Sequence, residues 1–114
     1  MRTVAETPIF QRYADEVWTE AERTEFINFI AANPEAGNII RNSGGCRKVR
    51  WSRAGQGKSG GARVIYFNTE EETIWLLIVY TKSKFDSLPT SFLIQLKQGV
   101  ENALRSHKVP KRLT

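Results

Sequence analysis

A cluster of cationic side chains without acidic neighbours is the first feature of this sequence that could do chemistry. Between Glu35 and Glu70 the sequence contains no aspartate or glutamate. The same window holds seven basic residues, which are Arg41, Arg47, Lys48, Arg50, Arg53, Lys58 and Arg63. Because like charges repel one another on a compact protein, this clustering favours a partner that neutralises them. The sequence therefore predicts binding to a polyanion.

The residue inventory argues against metal and imidazole chemistry. The sequence has one histidine and one cysteine, Cys46, which are too few for the usual zinc ligand sets. We expect no metal and no cofactor, and we expect Cys46 to be a small core residue at the start of a strand. Gly57-Lys58-Ser59 resembles the end of a P-loop, but Ser52 stands where that pattern requires glycine. The glycine-rich segment is better explained as a hairpin loop that makes Lys58 available to a phosphate.

The composition predicts a single globular domain over residues 1–114. The hydrophobic share is 40%, the charged share is 25%, and the net charge of +5 with a pI near 9.7 favours nucleic acid or an anionic surface as partner. One cysteine permits no internal disulfide and suits a reducing compartment. The N-terminal residues lack an apolar signal segment, and the longest apolar run, 74–80, is too short for a bilayer. We expect a cytoplasmic protein with no membrane partner.

Three predicted strands position the cations. In the run 47–53, a period of two places Val49 and Trp51 on one face of a strand and Lys48 and Arg50 on the other. A second strand over 62–68 carries Arg63, and a third over 74–80 is the most apolar and so the most central. The glycine-rich loop and the acidic tip at 70–72 between them predict an antiparallel meander, in which one face packs on helices and the other presents cations.

Helices are predicted before and after these strands. Thr7-Pro8 favours the start of a first helix, and the Thr19 to Glu22 capping box starts a second, which ends at Asn33-Pro34. Pro89 opens a last helix, and Thr3-Val4 could start an edge strand. Residues 35–45 are expected to be an irregular connection. The predicted fold class is α+β.

Three segments of the chain resemble one protein family. They are the run Arg47-Lys48-Val49-Arg50, the segment 57–67 with its Gly-Lys-Ser-Gly-Gly-Ala-Arg-Val-Ile-Tyr-Phe sequence, and the segment 76–84 that ends in Thr-Lys-Ser-Lys. They resemble the RelE superfamily of bacterial toxins, and most of all its HigB-type branch, in which a Gly-Lys-x-Gly-Gly-x-Arg-x-Ile-Tyr-Tyr segment recurs. The resemblance implies a RelE/ParE-like fold, with N-terminal helices packed on an antiparallel sheet and a C-terminal helix.

The resemblance also implies an activity and its partners. It implies the toxin of a type II toxin-antitoxin system, an mRNA interferase that cleaves message in the ribosomal A site and inhibits translation. It further implies a cognate antitoxin, which we expect to be a helix-turn-helix DNA-binding protein. By position, it places the family's catalytic residues on Lys48, Arg50 and Arg63 and, after the last strand, on Lys82 or Lys84. Of these two lysines we assign the catalytic role to Lys82. The residues expected to bind RNA around them are Arg47, Arg53, Lys58, Lys84 and Phe85, the last by stacking on a base.

These residue types suit metal-independent attack by the RNA 2′-hydroxyl on the neighbouring phosphate. Arg50 and Arg63 stay charged at any relevant pH and would clamp the phosphorane electrostatically. Lysine can give up a proton when cations crowd around it, because like charges disfavour its protonated form. Proton transfer is therefore expected from Lys48 or Lys82. We expect cleavage of free RNA to be weak when no ribosome assembles the site.

Two other functions fit the same cations. A non-catalytic nucleic-acid or ribosome-binding module would use the basic surface without cleaving. A ParE-like inhibitor of DNA gyrase would share the fold without RNA chemistry. The gyrase inhibitor is disfavoured because it would not need Lys48, Arg50, Arg63 and Lys82.

Overall fold

The described residues of the chain form three helices and a five-stranded sheet. The computed structural model describes residues 2–51 and 61–107. The elements in chain order are β1 (Thr3–Glu6), α1 (Pro8–Val17), α2 (Glu20–Ala32), β2 (Asn38–Ile39), β3 (Arg47–Trp51), β4 (Ala62–Asn68), β5 (Thr73–Thr81) and α3 (Thr90–His107). None of the helices in the described ranges is long and apolar enough to span a bilayer.

The sheet has the order β1-β5-β4-β3-β2. Strands β3, β4 and β5 form the predicted antiparallel meander, and the predicted α+β class is confirmed. The sheet is mixed and not wholly antiparallel, because β1 pairs with β5 in the parallel direction. The irregular connection predicted over 35–45 contains the short strand β2, which pairs antiparallel with β3.

Side-chain caps fix the starts of the two N-terminal helices. The Thr7 hydroxyl accepts a hydrogen bond from the Phe10 amide at 3.0 Å and donates one to the Leu77 carbonyl at 2.8 Å. Thr19 and Glu22 form the predicted capping box, with bonds of 2.7 and 3.2 Å. Each cap satisfies backbone donors that a helix leaves free. The Thr7 contact also ties α1 to β5.

Two hydrophobic cores lie on opposite faces of the sheet. One core packs α1 and α2 against the sheet through Phe10, Phe26, Ile30, Val49, Val64, Tyr66 and Val79. The other includes Ile65, Phe67, Leu77, Ile78, Tyr80 and Leu93, and it places α3 on the second face. A bulge at Leu77 separates the pair Ile65 and Ile78 from the pair Tyr66 and Leu76. Leu77 and Ile78 consequently belong to the same core although they are adjacent in sequence.

The connection between α2 and β2 is fastened to the sheet by Tyr66. Its hydroxyl donates to the Pro34 carbonyl at 2.9 Å and accepts from the Gly37 amide at 2.9 Å. Gly37 lies so close to β3 that an added Cβ would come within 2.8 Å of the Lys48 carbonyl oxygen. Only glycine fits at this position without displacing the strand.

Candidate nucleic-acid interface

Three of the four predicted catalytic residues lie on one face of the sheet. Arg50 on β3 is directly opposite Arg63 on β4, and Arg63 is directly opposite Tyr80 on β5. Residues directly opposite in a sheet project to the same side. Lys48 precedes Arg50 by two residues and therefore shares that side. We call Lys48, Arg50 and Arg63 the cationic face.

The cationic face combines exposed and partly buried charge. Lys48 and Arg50 are exposed, whereas Arg63 is half-buried. The Nη1 atom of Arg63 is buried and has no hydrogen-bond partner within the described part of the chain. A buried donor without an acceptor is costly, and a guanidinium group suits the oxygens of a phosphate. The Nη1 atom of Arg63 is therefore a donor of the kind that an anionic oxygen satisfies.

Tyr80 lies in one row with Arg50 and Arg63 across the three strands and adds a phenol to it. Tyr80 was not among the predicted site residues. Its side chain is only 2% exposed. Burial raises the pKa of Tyr80, and the charge of Arg63 partly opposes that rise. The phenol therefore stays protonated at neutral pH, so it can donate a hydrogen bond but does not act as a base. Alternation along β5 alone would not have found Tyr80, because the bulge at Leu77 interrupts the period of two in that strand.

The predicted catalytic residue Lys82 lies in the turn that follows β5. Both the Lys84 and the Phe85 amides donate to the Thr81 carbonyl at 3.0 Å, which closes this turn. Lys82 is exposed and stands two residues beyond Tyr80. Lys82 therefore lies close in sequence to Tyr80, at the end of the row formed by Arg50, Arg63 and Tyr80. It is not itself paired across the strands with Arg50 or Arg63.

Two of the predicted RNA-binding residues in this turn contact α1. The Lys84 Nζ atom lies 3.5 Å from the Glu16 Oε1 atom and 5.5 Å from the centroid of the Tyr13 ring. The half-buried ring of Phe85 packs against the rings of Tyr13 and Tyr80. Lys84 is therefore paired with an acid in this structure, and Phe85 belongs to the packed interior of the turn.

Arg47 is not brought together with the cationic face. It stands one residue before Lys48 on β3, opposite Tyr66, and so projects to the other side of the sheet. Its Nη1 atom donates to the Gly37 carbonyl at 2.7 Å. We therefore assign Arg47 to holding the α2–β2 connection and leave it out of the proposed site. Arg53 and Lys58, also predicted to bind RNA, lie outside the described residues.

Across residues 2–51 and 61–107, no three acidic, histidine or cysteine side chains are placed to hold a metal ion. Cys46 is fully buried at the start of β3, as predicted, and burial raises the pKa of its thiol. A buried, protonated thiol is a poor nucleophile. The described part of the face thus offers two guanidinium groups, an ammonium group and a phenol.

The sequence matches no protein-family model. Among solved structures, the chain is similar to the toxin RelE of E. coli, determined in the free state as a double arginine-to-alanine mutant. The TM-score is 0.57 at 14% sequence identity, and the match covers 84% of this chain and 96% of RelE. An identity this low bears on the fold alone. The chain therefore has a RelE-like fold.

Proposed function

We propose that this chain is the toxin of a type II toxin-antitoxin system, of the HigB-type branch, and that it cleaves mRNA on the ribosome. One observation carries the proposal. Arg50 and Arg63 stand opposite each other on one side of a RelE-like sheet, with Lys48 beside them and with a buried donor on Arg63 that has no partner in the described residues. This arrangement favours binding of a phosphodiester, the repeating anion of RNA.

The proposed reaction is attack by a 2′-hydroxyl on the adjacent phosphate. Negative charge grows on the phosphate oxygens as the phosphorane forms, and Arg63 and Arg50 stabilise it. Lys48 or Lys82 accepts the proton of the 2′-hydroxyl, and the other protonates the departing 5′-oxygen. The reaction uses no metal and no cofactor.

A ribosome would supply the positioning that the protein lacks. Lys48, Arg50 and Lys82 are exposed side chains on a sheet face and a turn, so a flexible RNA strand would find few constraints there. Holding the reacting groups in line contributes a large share of a catalysed rate. We therefore propose the ribosome and its mRNA as partners in the cytoplasm, with a helix-turn-helix antitoxin as the protein that silences the toxin.

Cleavage of a translated message by purified protein tests the proposal. Arg63→Ala removes a donor to the phosphorane and should lower the cleavage rate by about a hundredfold to a thousandfold, with a much smaller loss of ribosome affinity. Arg12→Ala is the matched control, because it removes an exposed arginine from α1, outside the sheet face. Its cleavage rate should equal that of the wild type.

Other outcomes would identify the alternatives. A wild-type protein that binds the ribosome or RNA without cleaving it would indicate a non-catalytic binding module. In that case Arg63→Ala should lose both the binding affinity and its dependence on salt. Growth arrest with changed DNA supercoiling and unimpaired translation would indicate a gyrase inhibitor. Efficient cleavage of naked RNA would contradict the dependence on the ribosome.

A further inference from the structure

A chain of three aromatic rings links α1 to the cationic face. The ring of Tyr13 on α1 meets the ring of Phe85 at a centroid distance of 6.2 Å and an angle of 88°. Phe85 in turn meets Tyr80 at 6.1 Å and 71°. Edge-to-face pairs of this kind are favourable beyond the area they bury. We call Tyr13, Phe85 and Tyr80 the aromatic brace.

The brace holds one end of the turn that carries Lys82. The turn runs from Thr81 to Phe85, and its two hydrogen bonds to the Thr81 carbonyl make it a single compact unit. The Thr81 and Ser83 hydroxyls add a hydrogen bond of 3.0 Å across it. Because the turn is short and internally bonded, the position of the Phe85 ring sets the position of Lys82.

Lys84 provides a second connection between the turn and α1. Its Nζ atom lies over the Tyr13 ring at 5.5 Å from the centroid and 3.5 Å from Glu16 Oε1. Both partners of this ion pair are about half exposed, at 51% and 55%, so the pair itself contributes little stability. It nevertheless directs Lys84 toward α1, on which Tyr13 also lies.

We propose that Phe85 and Tyr13 are positioning residues, which hold the 81–85 turn and hence Lys82 beside the cationic face. Phe85 then acts through packing and does not stack on an RNA base. The inference rests on the proposed function, because it concerns the geometry of the same cleavage site. It extends that function by giving α1, a helix on which none of the predicted site residues lies, a part in the reaction.

The two roles for Phe85 predict different kinetics. Loss of positioning lowers the cleavage rate at saturating ribosome, and a displacement of about 1 Å can cost roughly a hundredfold. We expect Phe85→Leu and Tyr13→Leu each to lower that rate by about tenfold to a hundredfold, with the half-saturating ribosome concentration changed less than about twofold. The double variant should be no slower than the slower single variant, because both act through one turn. A stacking role predicts weaker RNA binding in Phe85→Leu and normal behaviour in Tyr13→Leu.

Conservative and matched variants separate positioning from general damage. Phe85→Tyr and Tyr13→Phe keep the aromatic rings and should retain at least half of the wild-type cleavage rate. Phe92→Leu is the control, because Phe92 packs against the same core but is not part of the brace. It should lower the melting temperature as Phe85→Leu does and leave the cleavage rate unchanged. A matching rate loss in Phe92→Leu would overturn the inference.

Amide hydrogen exchange gives a readout that does not depend on cleavage. The Lys84 and Phe85 amides, which donate to Thr81, should exchange faster in Tyr13→Leu while the amides of β4 keep their protection. Unchanged exchange of these two amides would refute the brace. An inactive wild type would refute the proposed function, whereas an active wild type with a purely affinity-defective Phe85→Leu would refute only this inference.

Discussion

Replacement of Arg63 by methionine should raise the free energy of unfolding while it slows cleavage strongly. Arg63 has a buried Nη1 atom without a partner in the described residues, and it faces the like charge of Arg50 directly across the strands. Methionine keeps an unbranched stem of similar reach and removes both the unmet donor and the charge. The substitution therefore separates the role of Arg63 in the fold from its role in the proposed site.

The size of the effect follows from these two contributions. An unsatisfied buried donor costs about 1–3 kcal/mol, and like charges opposite each other in a sheet cost about 0.2–1 kcal/mol. Arg63 is half-buried and solvent screens part of its charge, so the lower end of each range applies. We expect the free energy of unfolding to rise by about 1 kcal/mol. Arg63→Met should also lower the cleavage rate by at least about a hundredfold.

Urea denaturation measures the stability change, and Arg47→Met is the matched control. It makes the same substitution on the neighbouring strand, but it removes the 2.7 Å bond from Arg47 to the Gly37 carbonyl. We expect it to lower the free energy of unfolding by about 1–2 kcal/mol. Both midpoints should move at constant denaturant slope. If Arg63→Met loses as much stability as Arg47→Met, the argument from the unmet donor is wrong.

Three further outcomes follow from described contacts. Thr7→Val removes both the α1 cap and the hydrogen bond to the Leu77 carbonyl. It should lower the free energy of unfolding, measured by urea denaturation, by about 2 kcal/mol. A loss below about 0.5 kcal/mol would contradict this role of Thr7. Tyr66→Phe leaves the Gly37 amide unpaired and leaves the Pro34 carbonyl with only its 3.0 Å bond from Asn68 Nδ2. It should lower the free energy of unfolding by about 1–3 kcal/mol, measured in the same way, whereas an unchanged midpoint would show that water replaces the hydroxyl. Burial raises the pKa of Tyr66 and of Tyr80 above the ordinary value of 10.0. Their contribution to stability is therefore complete below about pH 10 and is lost as pH rises through the folded-state pKa values, so unfolding titrations should show a steeper alkaline decline in wild type than in Tyr80→Phe.

Local signals in the sequence predicted most of the fold. The Thr7-Pro8 and Thr19-Glu22 caps act within one helical turn, so their residues alone locate the helix starts. Alternation also placed Lys48 and Arg50 on one side of β3 and Val49 on the other, which the register and the cores confirm. These features depend on neighbours a few residues away.

The structure differs from the sequence-based prediction where segments distant in sequence meet. The parallel pairing of β1 with β5 joins residues about seventy positions apart, and β2 has only two residues, too few to show a period. The bulge at Leu77 follows from the register of β4, which β5 alone does not reveal. Arg47 differs, because it was predicted to bind RNA although the same alternation puts it on the side of Val49, and its contact with Gly37 agrees with that side.

The order of the strands also bears on how this protein behaves at high concentration. Its two longest strands, β4 and β5, are interior, and the sheet ends in the four residues of β1 on one side and the two residues of β2 on the other. Exposed strand edges template the pairing that leads to aggregates, and short edges offer little to pair with. Within the described residues, the one large hydrophobic side chain exposed to solvent is Ile39 on β2, at 63%. Self-association of the folded protein should therefore begin at Ile39, and the substitution Ile39→Lys should suppress it.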